Sequence, residues 1–180
     1  MRRLLALLVA LVFAVAGCSS ADPSAEEAVF VEYAVGKRPA TPAVSGELLD
    51  GGSFDLASLK GKVVVLNFWA SWCAPCRVEA DDLEKVYLDS KASGVEFVGI
   101  NIRDEQDKAK AFLVGRATYP SIFDPAGRVG LGFAGLALST PPSTLVIDRD
   151  GKIAVVIRTS IRAEDLQPIV TRVAGETPRG

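Results

Sequence analysis

The sequence predicts an α/β domain, a mixed sheet flanked by helices with a β-hairpin extension on its N-terminal side. Three observations predict it. Two apolar runs, residues 63–69 and 95–102, are each followed by a helical pattern, the signature of a parallel βαβα core with right-handed crossovers. Two later runs, 144–147 and 153–157, flank Asp148-Arg149-Asp150-Gly151 and read as an antiparallel hairpin. Two earlier segments, 44–49 and 53–56, flank Asp50-Gly51-Gly52 and read as a small hairpin ahead of the core.

The chain opens on a basic head, Met1-Arg2-Arg3, and an apolar stretch from Leu4 to Ala16. That stretch is shorter than the roughly 20 residues a spanning helix needs, so it reads as a signal peptide. It ends in Val15-Ala16-Gly17-Cys18, which resembles the lipobox of bacterial lipoproteins. The resemblance implies cleavage after residue 17 and lipid on Cys18, an anchor without a spanning helix. An ordinary signal peptide or an uncleaved anchor is the plainer alternative. Residues 18–42 read as a lipid-anchored tether, polar at first and stiffened by Pro39 and Pro42. Residues 25–35 carry a weak helical pattern. The folded domain is expected over 43–175, with 176–180 as a tail.

Within the domain, residues 57–62 read as a short helical turn with a Gly61 exit. The run 63–69 is apolar apart from Asn67, as a strand buried on both faces should be. A helix is expected from Ala74 to Ser90, with Cys76, Ala80, Leu83, Val86 and Tyr87 inward and Arg77, Asp81, Glu84, Lys85 and Asp89 solvated. A second helix opens near Asp104 and runs to about Gly115. The stretch from there to Gly135 reads as loop. The last helix starts near Arg162 or Ala163, with Leu166, Ile169, Val170 and Val173 inward.

The chemistry concentrates at Trp72-Cys73-Ala74-Pro75-Cys76, between the central strand and the first helix. Two cysteines three positions apart can close a disulfide within one helical turn. Cys73 falls at the helix N-terminus, where the dipole and free N–H groups stabilise a thiolate. The thiolate is the form that attacks disulfides, so Cys73 is the expected nucleophile and Cys76 its partner. The chain of 180 residues contains no histidine, which excludes a His-dependent cysteine hydrolase and any His-containing metal site. One CxxC without a second pair does not supply the four ligands of zinc. As a purely structural bridge it closes too small a loop to remove much unfolded-state entropy. No cofactor is called for.

Removing residues 1–17 takes away two arginines and no acid. That leaves 18 basic against 22 acidic side chains, net −4. A mildly acidic chain without a basic cluster argues against nucleic acid and gives no help in binding anionic lipid.

The segment from Asn67 to Glu79, NFWASWCAPCRVE, resembles the active site of the TlpA/ResA branch of the thioredoxin superfamily. So do Gly61-Lys62 before the central strand, the early hairpin, and Pro142-Ser143-Thr144-Leu145-Val146-Ile147-Asp148. The resemblance covers residues 43–173 and implies a thioredoxin-like fold. It also implies a cis Pro141–Pro142 bond facing the disulfide, against a trans polyproline loop as the plainer alternative. Pro141 departs from the pattern by removing an N–H that can bind an incoming peptide. Asn67 stands where many thioredoxins have a proton-accepting Asp. Glu79 matches the acid that this branch carries after its CxxC. One turn beyond Cys76, a half-buried carboxylate would have a raised pKa and serve as acid or base, or else be an ordinary surface charge. Trp69 reads as core, and Trp72, Ala74, Pro75 and Pro141 as substrate-facing.

By this resemblance the protein is an extracytoplasmic thiol–disulfide oxidoreductase, lipid-anchored to the bacterial cell membrane. Its substrates would be disulfide-bearing proteins, such as apocytochrome c before haem attachment, and its electron donor a membrane-embedded dithiol. Ala74-Pro75 supplies neither imidazole nor charge, which favours a reductant. Three other classes compete. A thiol peroxidase shares the fold, but its Pro-x-x-x-Thr-x-x-Cys pattern is absent before Cys73. A copper-binding protein of the superfamily usually needs wider Cys spacing and a His. A passive surface lipoprotein needs no redox chemistry.

Overall fold

The computed structural model describes residues 29–178. The expected signal peptide and lipidation site Cys18 lie outside the described residues, as does the start of the expected tether. Among the described residues no helix is long and apolar enough to cross a membrane.

The central strand β4 (Val63–Trp69) is buried along its whole length. It pairs in parallel with β5 (Val95–Ile102), which pairs in parallel with β6 (Ser121–Asp124). On its other edge β4 runs antiparallel to β7 (Ser143–Ile147), which pairs antiparallel with β8 (Ile153–Ile157). Helix α1 (Ala74–Ser90) crosses from β4 to β5, and α2 (Gln106–Leu113) from β5 to β6. A short α3 (Arg128–Leu131) follows β6, and α4 (Ala163–Ala174) closes the chain. The small hairpin consists of β2 (Ser45–Glu47) and β3 (Ser53–Asp55).

The pleat of β4 divides the core. Val63 and Val65 pack with Leu83 and Val86 of α1 and Leu166 and Val170 of α4. Val64, Leu66 and Phe68 point the other way, into a core closed by Phe54 and Leu56 near the hairpin and by Phe133 and Leu138. Phe68 meets Phe133 edge-on, ring centroids 5.9 Å apart, a pairing worth about 0.5–1.5 kcal/mol beyond area burial. Burial on both faces explains why β4 shows no polar alternation.

Two segments differ from expectation. The sheet begins not at 43 but with β1 (Phe30–Glu32), inside the segment read as tether and weak helix. Phe30, Val31 and Glu32 pair antiparallel with Ile157, Val156 and Val155. Without β1, the outer edge of β8 would present unpaired backbone groups. The proline-stiffened stretch continues along the sheet: the Ile153 N–H donates to Pro39 O and the Thr41 N–H to Gly151 O. Second, the stretch read as loop after Gly115 contains β6, which forms the other sheet edge. Three- and four-residue strands are too short to show a period, and their pairing partners decide them.

Arg38 ties these ends together. Its side chain is 3% exposed and reaches Asp148 at 2.9 Å and Glu176, in the expected tail, at 2.5 Å. The hydrogen bonds and charge of Glu176 and Asp148 outweigh burial and raise the guanidinium pKa further. Removing one partner of a buried pair leaves the others uncompensated. Arg38→Ala should therefore cost about 3 kcal/mol. A chain beginning at residue 43 should lose more, because β1 goes too. Urea denaturation of chains beginning at 29 and at 43 measures this, and equal midpoints would return residues 30–42 to the role of a passive tether.

Candidate active site

Strand β4 delivers the chain to the buried Ala70, whose carbonyl accepts the Cys73 N–H at 3.1 Å. Cys73 then caps α1 with extended backbone, and its Sγ accepts the Cys76 N–H at 3.1 Å. A sulfur in the N-cap position takes the place of the usual side-chain oxygen, and the helix dipole points at it. Pro75 lies in the first turn, where a missing N–H costs nothing. Cys73 and Cys76 are joined in a disulfide. The two residues are 3% and 2% exposed, so burial does not distinguish them in this form. The capping geometry does, and it favours charge on Cys73.

The surroundings divide into an apolar rim and a polar interior. Trp72 is 58% exposed, and Ala74, Pro75 and Val78 are exposed beside it. Trp69 is core, stacked on Phe112 at 4.9 Å, with its indole N–H donated to Ser121 Oγ. Gly99 leaves the space for that bond, since a Cβ there would lie 2.5 Å from Ser121 Oγ and 2.8 Å from Trp69 Nε1.

The Pro141–Pro142 bond is cis, and both rings are buried in this form. Ser143 pairs with Phe68 and Thr144 with Asn67, so this proline pair lies at the end of the sheet from which the Cys73 loop departs.

Glu79 is buried, 1% exposed, on the inner face of α1. Its Oε1 accepts from Asn67 Nδ2 at 2.9 Å and its Oε2 from the Ile161 N–H at 3.2 Å. Its pKa is raised to about 7: burial pushes it up, the bonds from Asn67 and Ile161 offset part of that, and the charge of Asp82 adds to the rise. Asn67 also donates to Thr144 Oγ1 at 3.0 Å, linking the acid to the cis-proline strand. Asn67 and Cys76 line one cavity of about 10 Å³ with Tyr119 and Phe112, near the lower limit for one water. Burial, above all, raises the Tyr119 pKa, and the Glu79 charge adds to it.

The sequence reading places Glu79 beside the cysteines but gives Asn67 only a negative part, as an Asp that cannot titrate. Here Asn67 is the donor that holds the acid. Ile161 lies outside the motifs, and Thr144, inside the proline-led strand, carries no role in the sequence reading, because their contacts are set across 82 and 77 residues of chain. Nor did any local pattern mark Asp104, which accepts from Ser71 next to the CxxC.

A cysteine couple seated this way, backed by a buried acid of near-neutral pKa, defines the class of thiol–disulfide oxidoreductases, and known proteins agree. The chain belongs to the AhpC/TSA family, whose model matches residues 38–156. It is similar to the thiol:disulfide interchange protein HelX of Rhodobacter capsulatus, 41% identical over 118 residues, covering 62% of each chain. The thiol-disulfide oxidoreductase ResA of Bacillus thuringiensis is 31% identical over 127 residues, 69% of this chain and 71% of that protein. Among solved structures, a secreted thiol-disulfide isomerase from Corynebacterium glutamicum superposes with a TM-score of 0.79 at 31% identity, covering 83% of this chain and 93% of that one. The fold is thioredoxin-like, and the protein is a thiol–disulfide oxidoreductase.

The Glu79 environment has a consequence for stability. The folded, oxidised protein binds the Glu79 proton more tightly than the unfolded chain between pH 4.5 and about 7. Stability should fall as pH rises through that window, by up to ~3 kcal/mol. In Glu79→Gln that component of the slope should vanish. Denaturation across pH 4–8 checks it, and parallel curves for the two proteins would contradict a raised Glu79 pKa.

Proposed function

We propose that this protein is an extracytoplasmic, membrane-anchored reductant of partner-protein disulfides, with apocytochrome c as candidate substrate. The observation that carries the reading is the Cys73 sulfur capping α1 over the Cys76 N–H, with the buried Glu79 three residues beyond Cys76. In the reduced enzyme the Cys73 thiolate attacks one sulfur of the partner's disulfide, and the other sulfur leaves as a thiolate. Glu79 takes the Cys76 proton. The Cys76 thiolate then attacks Cys73 Sγ and displaces the partner's second sulfur. The partner gains two electrons and two protons, and the enzyme ends as the Cys73–Cys76 disulfide. A membrane-embedded dithiol donor restores it.

Trp72, Ala74 and Pro75 form the rim that meets the partner chain. Pro141 and Pro142, buried in the oxidised form, lie at the same end of the sheet. The reducing direction is supported by the absence of charge or imidazole between the cysteines. Lipid on Cys18 is supported by its lipobox, and an extracytoplasmic site by the signal-peptide pattern and by a relative described as secreted.

Alkylation of the reduced protein near neutral pH should label Cys73 before Cys76, and Cys76→Ser should trap a mixed disulfide with its substrate. Preferential labelling of Cys76 would reverse the roles. Glu79→Gln should slow release of the mixed disulfide by ~10²-fold or less. Faster consumption of peroxide than of protein disulfides would move the assignment to a thiol peroxidase. Fatty-acid labelling should disappear in Cys18→Ala, while a chain beginning at residue 25 keeps its activity.

A further inference from the structure

The β5–α2 corner, residues 103–105, carries more polar bonding than a connection between a strand and a helix needs. Asp104 Oδ2 accepts the Ser71 N–H at 2.5 Å and Asn101 Nδ2 at 2.9 Å. Its Oδ1 accepts Ser71 Oγ at 2.7 Å and the Glu105 N–H at 2.9 Å. Burial alone would raise the Asp104 pKa, but the bonds from Asn101, Ser71 and Glu105 outweigh it and lower it, so the carboxylate is charged at neutral pH. One residue earlier, the Arg103 carbonyl accepts the indole N–H of Trp72 at 2.8 Å. Ser71 and Trp72, the two residues before Cys73, are thus both held by neighbouring positions of one corner.

Two unfavourable features converge there. Arg103 has φ +50°, a left-handed conformation that is strained for a non-glycine residue. Asn101 is fully buried, and its Oδ1 has no hydrogen-bond partner among the described residues, which is unfavourable for a buried acceptor. Each follows from the corner's bonding. The left-handed turn accompanies the Arg103 carbonyl that meets the Trp72 indole. The Asn101 amide keeps its donor on Asp104 and leaves its acceptor unmet, because the flipped amide would set oxygen against carboxylate. Backbone strain and unmet polar groups that accumulate at one spot mark a functional constraint more often than a packing need.

We propose that Asp104 is a positioning residue for substrate recognition: together with the Arg103 carbonyl it holds Trp72 as a fixed aromatic platform beside Cys73 for the polypeptide around the partner's disulfide. The proposal rests on the oxidoreductase reading and adds a residue outside the CxxC motif. An exposed indole free to sample rotamers would lose that freedom on binding each substrate. Anchored through its N–H and through the turn beneath it, the ring is already in place. A small disulfide that reaches Cys73 without lying on the ring gains nothing from it.

The test measures single-turnover rates of the pre-reduced protein with oxidised apocytochrome c and with the small aromatic disulfide DTNB. Wild type should show a polypeptide advantage that Asp104→Ala reduces about tenfold, while the DTNB rate changes less than about twofold. Trp72→Phe, which keeps a ring but loses the N–H, should show a loss of the same kind. The double variant should lose no more than the larger single loss, because both act on one element. Asp104→Asn, which retains an acceptor for Ser71, should recover most of the polypeptide rate. Equal slowing of both substrates by Asp104→Ala, additive losses in the double variant, or a wild type without a polypeptide advantage would each overturn the proposal. A wild type unreactive toward both disulfides would sink the oxidoreductase reading itself, and the platform with it.

Discussion

Everything at the catalytic end of this molecule depends on how β4 ends. The strand is hydrogen-bonded on both edges and packed on both faces, so its last residues have almost no freedom. The chain leaves that rigid strand at Ala70 and turns through three residues. It enters α1 with a cysteine sulfur where a capping oxygen usually stands. Strand rigidity fixes the position of the sulfur, and the helix fixes its electrostatic surroundings. A thiolate at Cys73 is therefore stabilised by the helix N-terminus, without an imidazole.

Behind that junction the protein holds a carboxylate where burial opposes its charge. Glu79 keeps two hydrogen-bond donors, and together they offset only part of the desolvation. The outcome is an acid balanced near neutrality, which can exchange a proton at little cost in either direction. Reduction of the disulfide adds two thiols to the same helix. A thiolate at Cys76 and a carboxylate at Glu79, three residues apart, disfavour each other. On the proposed mechanism, electron uptake by the cysteines is coupled to proton uptake at the acid, and the titration steps belong to the group rather than to single residues.

The sheet is finished by elements distant from the site. Strand β1 covers the edge of β8, and Arg38 then locks the N-terminal segment to the β7–β8 turn and to Glu176. The segment proposed to lead from the membrane thus enters the fold at the opposite side of the sheet from β6. The small hairpin seals the second face through Phe54. These additions leave the apolar rim around Trp72 free.

The sequence alone determined the elements whose signals are local. A seven-residue run apolar but for Asn67, an amphipathic helix with Pro in its first turn, and Asp-Gly turns between apolar pairs each carry their own period or breaker. The CxxC at a strand-to-helix junction likewise named the reaction class, because thiolate stabilisation at a helix N-terminus needs only neighbours in the chain. Tertiary structure decided the rest. Strands β1 and β6 are too short to show a period and exist because a sheet edge was open to them. Glu79 has its near-neutral pKa because burial after folding outweighs the bonds from Asn67 and Ile161. Ser71 and Trp72 are anchored by a corner some thirty residues away in the chain. A strand's partner, a carboxylate's desolvation and a ring's anchor depend on long-range packing, and no window of sequence contains them.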